Sequence, residues 1–246
     1  MGIAVKCARV GNKILSFIAM VLVLIMLLYG GYSLWNTIMI YRGAFSSNDL
    51  LKYQPTGDGP NSITLGELMK LNKDVVGWIT IFDTHISYPV VQTKDNKYYL
   101  EHDFYHKYSL KGAIFADYRN NFDSLLNNTI IYGHHRLDNI MFGQLDKLFT
   151  NNYFSQNSHT IKLITFNKTY IFEVFSVYEI ESELYYLTTS FESIEKYLQF
   201  LDTIKNRSQH DFNQDYDSSS KILTLSTCNT TNTGRLVVHA VLRSVE

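Results

Sequence analysis

The sequence predicts a mainly β domain: a closed barrel of about eight strands, with N-terminal helices and a long amphipathic helix inserted between late strands, behind an N-terminal transmembrane helix. Three observations predict it. Short runs rich in branched and aromatic residues recur along the C-terminal part of the chain, and turn residues separate nearly all of them. These runs do not alternate with helices as they would in a doubly wound sheet, so the pairing is expected to be antiparallel or mixed. A composition that is 46% hydrophobic with only 3 Pro in 246 residues supplies a sizeable core and excludes a largely disordered or collagen-like chain.

At the N-terminus, Ile14 to Trp35 reads I-L-S-F-I-A-M-V-L-V-L-I-M-L-L-Y-G-G-Y-S-L-W, without a charge and about as long as the roughly 20 residues a helix needs to cross a bilayer. The apolar stretch of a secretory signal peptide is shorter, about 7 to 15 residues, and ends at a small-x-small cleavage site. The segment is therefore read as an uncleaved anchor. Lys6, Arg9 and Lys13 precede it and only Arg42 follows closely, which puts the N-terminus in the cytoplasm. Tyr29, Tyr32 and Trp35 fall near the outer end, where amphipathic rings suit the headgroup layer. The expected organisation is a cytoplasmic N-terminus at 1–13, a span at 14–35, a juxtamembrane helix and linker at 36–62, and an extracellular domain at 63–246. The localisation that follows is a single-pass protein of the cell membrane.

Within the outer part, Tyr53 to Ser62 carries Pro55, Gly57, Gly59 and Pro60 and reads as a turn-rich linker. Ser62 or Thr64 can cap a short helix through Leu71 bearing Leu65, Leu68, Met69 and Leu71. Strand-like runs follow at Val75 to Phe82, Tyr88 to Gln92, Ala113 to Ala116, Asn128 to Tyr132, Thr160 to Thr165, Lys168 to Glu179, Lys221 to Ser226 and Arg235 to Leu242. Between the sixth and seventh, Phe191, Ile194, Leu198, Leu201 and Ile204 recur at helical spacing, and Thr189 with Glu192 resembles a capping box. That predicts an amphipathic helix of roughly 16 residues packed on the barrel. Its mixed charges do not make the basic face that lipid binding favours.

Charge excludes one class of function. Lys and Arg number 22 against 23 Asp and Glu, so there is no basic field to attract nucleic acid. The two cysteines, Cys7 and Cys228, exclude a disulfide framework, and the predicted topology separates them by the membrane. For Cys228 three roles stay open: an intermolecular bridge, an inert buried thiol or a nucleophile.

The neighbours of Cys228 favour chemistry. It ends the run K-I-L-T-L-S-T-C, and Arg235 opens the next strand, G-R-L-V-V-H, so the two fall near the same end of adjacent strands. A guanidinium near a thiol favours the thiolate and can stabilise an oxyanion. In N-T-I-I-Y-G-H-H-R the strand ends at Tyr132, and Gly133 leads to His134 and His135, well placed for acid-base work. A strand-end histidine is also commonly structural. Adjacent histidines on a strand point to opposite faces, and Glu101, His102, Asp103 and His106 give only a faint metal-binding echo, so neither a metal nor another cofactor is expected.

Taken together the chain resembles the class B sortases, membrane-anchored cysteine transpeptidases of Gram-positive cell envelopes. The resemblance rests on T-L-S-T-C ending at Cys228, on I-Y-G-H-H followed by M-F-G-Q-L from Met141, and on G-R-L-V-V-H around Arg235. Accessory stretches are D-V-V-G-W-I from Asp74, Y-P-V-V-Q from Tyr88 and G-A-I-F-A-D-Y-R-N from Gly112. It implies a sortase-type barrel with Cys228 as nucleophile, His134 rather than His135 as the acid-base residue, and Arg235 as the oxyanion and substrate-positioning group. It further implies peptide contacts from Tyr132, Ser226, Asn96, Leu100, Tyr186 and Leu187. Several class B members carry an acidic residue just after the cysteine, whereas Asn229 and Thr230 follow here.

The activity the resemblance implies is cleavage of a C-terminal sorting motif of exported surface proteins after Thr. A thioester follows, and the acyl group passes to an amine of a peptidoglycan precursor or of a pilin. Two rivals stand beside it: a cysteine peptidase that releases the acyl group to water, and a non-catalytic surface barrel that needs none of Cys228, His134 and Arg235.

Overall fold

The computed structural model describes residues 2–44, 50, 53–54, 63–135, 140–156, 158–181, 183–228 and 234–246, with 3–8, 39–44, 63–64, 156 and 228 described as backbone only. The 55–62 part of the linker predicted at Tyr53 to Ser62, including the Ser62 cap, and Asn229 and Thr230 lie outside the described residues. The chain divides into two compact units, Met1–Ser46 and Ser47–Glu246.

The first unit is one helix, α1, Ile3–Ala44. Its stretch Arg9–Ile38 is long and apolar enough to cross a membrane, and none of its most apolar window is buried within the protein. The helix continues without a break through Asn36 to Ala44.

The second unit opens with α2, Ile63–Leu71, which buries Leu65 and Leu68. Met69 and Leu71, the other two apolar residues named for this helix from the sequence, are exposed. Among the described residues eight strands follow: β1 Val75–Ile81, β2 Ser87–Val91, β3 Phe115–Ala116, β4 Asn128–Tyr132, β5 Thr160–Thr165, β6 Thr169–Ile180, β7 Ile222–Cys228 and β8 Arg235–Val245. They close in the order β1-β2-β3-β4-β7-β8-β6-β5. Pairs β2/β3 and β4/β7 are parallel and the remainder antiparallel, so the barrel is mixed.

Strand alternation sorts side chains between two environments. Ile79, Ile81, Ile131, Leu163, Phe172, Val174, Leu225 and Val238 belong to the largest core cluster. Trp78, one residue from Ile79, joins Leu65, Leu68, Tyr99 and Phe115 in a second cluster that includes the buried side of α2. A short helix α3 spans Asn151–Gln156, and a later helix α4 spans Ile194–Asn206; α4 covers a third cluster, packing Tyr197, Phe200, Leu201 and Ile204 against Phe175, Ile222, Val237 and Val241.

The late helix is where expectation and structure differ. It is 13 residues long and its N-cap is Ser193, whose side chain accepts from the Lys196 amide; Thr189 is not the cap. Ile194, expected on the buried stripe, is 61% exposed, while Tyr197 and Phe200 take the core. Tyr197 tolerates burial because its hydroxyl donates to the Ser220 carbonyl at 2.6 Å.

Candidate active site

The site is assembled where β4 and β7 end side by side. In that parallel pair Tyr132 is opposite Ser226, and in the antiparallel β7/β8 pair Cys228 is opposite Arg235 on the last rung. The Gly133 amide donates to the Ser226 carbonyl at 3.2 Å and carries the ladder one residue beyond β4, up to His134.

Two glycines fix His134. Any Cβ at Gly133 would lie 2.5 Å from Ile114 Cδ1 and 2.7 Å from the Phe142 ring, so only glycine lets the chain turn out of β4 over that packing. Gly112 has φ +58°, and a Cβ there would overlap the Tyr99 carbonyl and press 3.0 Å from His134 Cδ2. His134 Nε2 is 2.8 Å from the Leu100 carbonyl oxygen. A carbonyl only accepts, so Nε2 carries a proton there and Nδ1 is the atom left to exchange one. His135 differs: its side chain is 3% exposed, its Nε2 lies 4.0 Å from an Asp146 carboxylate oxygen, and it is not among the residues of the cleft.

The cleft has a volume of about 300 Å³. Its lining brings together eight residues singled out in the sequence: His134, Arg235, Tyr132, Ser226, Asn96, Leu100, Tyr186 and Leu187. The side chain of the ninth, Cys228, lies outside the described set, and its backbone closes the adjoining rung. Sequence reasoning missed Phe115, Gly133, Glu183, Leu184 and Thr227, which also line it. Arg235 Nη1 donates to the Gly234 carbonyl at 3.2 Å.

Tyr186 and Leu187 sit in a single 3-10 turn, Tyr185–Leu187, that forms one wall. The Tyr186 and Ser226 hydroxyls lie 3.0 Å apart and join that wall to β7. A buried polar circuit holds the same turn from behind. Asn128 Nδ2 donates to the carbonyls of Tyr186 and Thr188, each at 2.9 Å, while its Oδ1 accepts from Thr224 Oγ1 at 2.6 Å. With that proton spent, Thr224 accepts from His239 Nδ1 at 2.8 Å. His239 Nε2 then accepts from Tyr178, 2.8 Å away, and Tyr178 accepts from Tyr185 at 2.9 Å. The circuit begins and ends on one turn. Burial pushes His239 down to about 3, so the ring is neutral, as this proton order requires.

The opposite wall is organised by a buried carboxylate. Asp117, just past β3, accepts from Arg119 Nε at 2.8 Å, from Arg119 Nη2 at 2.8 Å, from the Arg119 amide at 3.0 Å, from Asn96 Nδ2 at 2.8 Å and from the Tyr132 hydroxyl at 2.8 Å. Burial by itself raises its pKa; the Arg119 guanidinium and amide, Tyr132 and Asn96 outweigh burial and hold it below the usual carboxylate range. Burial, reinforced by the Asp117 charge, raises Tyr132 well above an ordinary phenol. The signal available in the sequence was the Asp-Tyr-Arg that directly follows a buried strand in G-A-I-F-A-D-Y-R-N.

A thiol-bearing strand end, an arginine on the same rung, a histidine at the cleft and a peptide-sized groove suit acyl transfer. Sequence comparison assigns the family, because the sortase domain profile matches residues 79–243. The chain belongs to the sortases, in class B. It is 39% identical over 181 residues to the sortase B of Listeria monocytogenes, covering 72% of this chain and 73% of that one. To the sortase B of Staphylococcus aureus it is 39% identical over 184 residues, 72% and 74% of the two chains. Among solved structures, a Bacillus anthracis protein similar to sortase B superposes with a TM-score of 0.75 at 36% identity, covering 83% of this chain and 98% of that one. A Staphylococcus aureus sortase B-substrate complex superposes with a TM-score of 0.74 at 33% identity, covering 83% and 97%. Membership of class B makes this chain a sortase-type cysteine transpeptidase acting on sorting-motif proteins.

Proposed function

We propose that Cys228, His134 and Arg235 are the catalytic residues and that the enzyme cleaves a sorting motif near the C-terminus of an exported protein after its Thr. The Cys228 thiolate attacks the Thr carbonyl carbon, and Arg235 with nearby backbone amides meets the charge that develops on the oxygen. Protonated His134 gives its Nδ1 proton to the leaving amine as the C–N bond breaks. A thioester remains. An amine of a peptidoglycan precursor or of another surface protein, losing a proton to His134, attacks it and expels the sulfur, restoring an amide, the Cys228 thiolate and protonated His134. Tyr132, Ser226, Asn96, Leu100, Tyr186 and Leu187 hold the peptide. We further propose that α1 anchors the enzyme as a signal-anchor with residues 1–13 cytoplasmic and residues 63–246 outside, where both substrates are presented.

The observation that carries this reading is the last rung of β7/β8, Cys228 opposite Arg235, with His134 and Arg235 lining one cleft. The test is mass spectrometry of the full chain in detergent micelles, incubated with a library of sorting-type peptides with and without an amine acceptor. The expected result is a peptide adduct on Cys228 retained up to the Thr, converted to an amide product when amine is added and absent from Cys228→Ala. An adduct resolved only by water, whatever the amine, would mark a peptidase instead.

A further inference from the structure

Asp117 is fully buried and charged, a costly arrangement unless every lone pair is engaged. A carboxylate that merely stapled the barrel would direct its bonds to barrel backbone. Here, apart from the two-residue loop to the Arg119 amide, its partners are Arg119, Asn96 and Tyr132 side chains, and the last two line the cleft. Arg119 Nη2 also donates to the Leu187 carbonyl at 3.0 Å, on the opposite wall. Asn96 is clamped at both ends of its amide, since its Oδ1 accepts from the Tyr118 amide at 3.0 Å. The remaining Asn96 N–H is then the group that amide offers to a peptide, and Tyr132, its proton given to Asp117, offers only lone pairs.

We propose that Asp117, with Arg119, is the positioning centre of the peptide cleft, fixing the orientation and donor-acceptor polarity of Asn96 and Tyr132 and tying them to the Leu187 wall. This rests on the sorting-peptide reading above. Asp117 touches no reacting atom; it acts through the side chains that meet the peptide. The cleft therefore selects a peptide with an acceptor opposite Asn96 and an N–H donor opposite Tyr132.

The test uses the full chain in detergent micelles and the peptide that acylates Cys228 fastest in the library experiment. Asp117→Asn puts donors against donors, and its kcat/KM for that peptide should fall by about ten- to a hundredfold. Alkylation of Cys228 by iodoacetamide, which needs no cleft walls, should stay within about twofold of wild type. In a double-mutant cycle, Asp117→Asn should cost much less in a Tyr132→Phe background than in wild type, because the contact it orients is already gone. Should Asp117→Asn fail to melt cooperatively, Arg119→Gln, whose side chain is 37% exposed, takes its place in the same cycle with the same expected pattern. Wild-type peptide kinetics in a folded variant, strictly multiplicative losses with Tyr132→Phe, or an equal fall in alkylation would each overturn the proposal. A wild-type enzyme that never acquires a peptide adduct overturns the sorting-peptide reading itself, and this inference with it.

Discussion

If Arg235 meets a developing oxyanion through a fixed fork of N–H donors, Arg235→Lys keeps the charge and loses the geometry. Loss of one oxyanion donor typically lowers turnover by about 100- to 1000-fold. Arg235→Ala should do at least as much harm with an unchanged melting transition. An ordinary surface ion pair, worth at most about 1 kcal/mol, would leave both variants near normal. Rates of acyl-enzyme formation for the two substitutions decide between these. Gly112 makes a different demand, since its positive φ alone costs a residue with a side chain about 1–2 kcal/mol, and a Cβ would also press on the His134 ring. Gly112→Ala is expected to lower the melting temperature and acyl-enzyme formation together, more than the stability loss alone explains. Full activity in that variant would show that His134 is not held from this side. At this scale much of the candidate site was legible, because Cys228, Arg235 and Gly133-His134 sit at strand ends where chemistry-bearing residues stand out from apolar runs. Asp117 was not. Its partners Asn96 and Tyr132 stand 21 and 15 residues away, and Leu187 lies 68 residues from the Arg119 that ties it in; no local pattern records such bonds.

Among the elements, strands were easier to place than helices. Runs of branched and aromatic residues bounded by turn residues mark all eight strands to within a few positions, because each is buried on at least one face. The late helix was legible in existence and in most of its stripe, since Leu201 and Ile204 are buried and Phe191 and Leu198 pack on the same cluster; Ile194 was the miss, because Tyr197 and Phe200 bring more area to the interface and Tyr197 finds a carbonyl for its hydroxyl. The Asn151–Gln156 helix is too short for periodicity to reveal. The polar circuit behind the wall turn yields a pH prediction. The folded-state pKa of His239 lies at about 3, below the roughly 6.5 of an unfolded chain, so between these values the unfolded chain binds the extra proton. Its contribution is fully present above pH 6.5 and is lost as pH falls, by up to about 1.4 kcal/mol per pH unit. His159, also lowered by burial, acts in the same direction. Urea unfolding at pH 7 and pH 5 should therefore show a larger loss for the wild type than for His239→Gln; equal losses would mean that the ring already binds its proton in the folded protein.

For the whole molecule, the two compact units predict independence. The barrel unit closes its own ladder, and the clusters found among the described residues are built from its own side chains. A chain lacking residues 1–46 is expected to stay soluble, to melt cooperatively and to acylate peptide at the rate of the full chain. A broad, non-cooperative melt would mean that the anchor supports the fold. The wall turn carries one more consequence. Its backbone carbonyls at Tyr186, Leu187 and Thr188 are held by Asn128 and Arg119, side chains that belong to the barrel and its rim. Those donors recognise peptide oxygens, which every residue type possesses, and are indifferent to the side chains the turn displays. The turn is in effect a cassette: a graft that keeps its path and the anchoring Tyr185 and Tyr186 would dock on the existing donors, so changes at Leu184 and Leu187 can shift the enzyme's taste in peptides while the barrel beneath stays as it is.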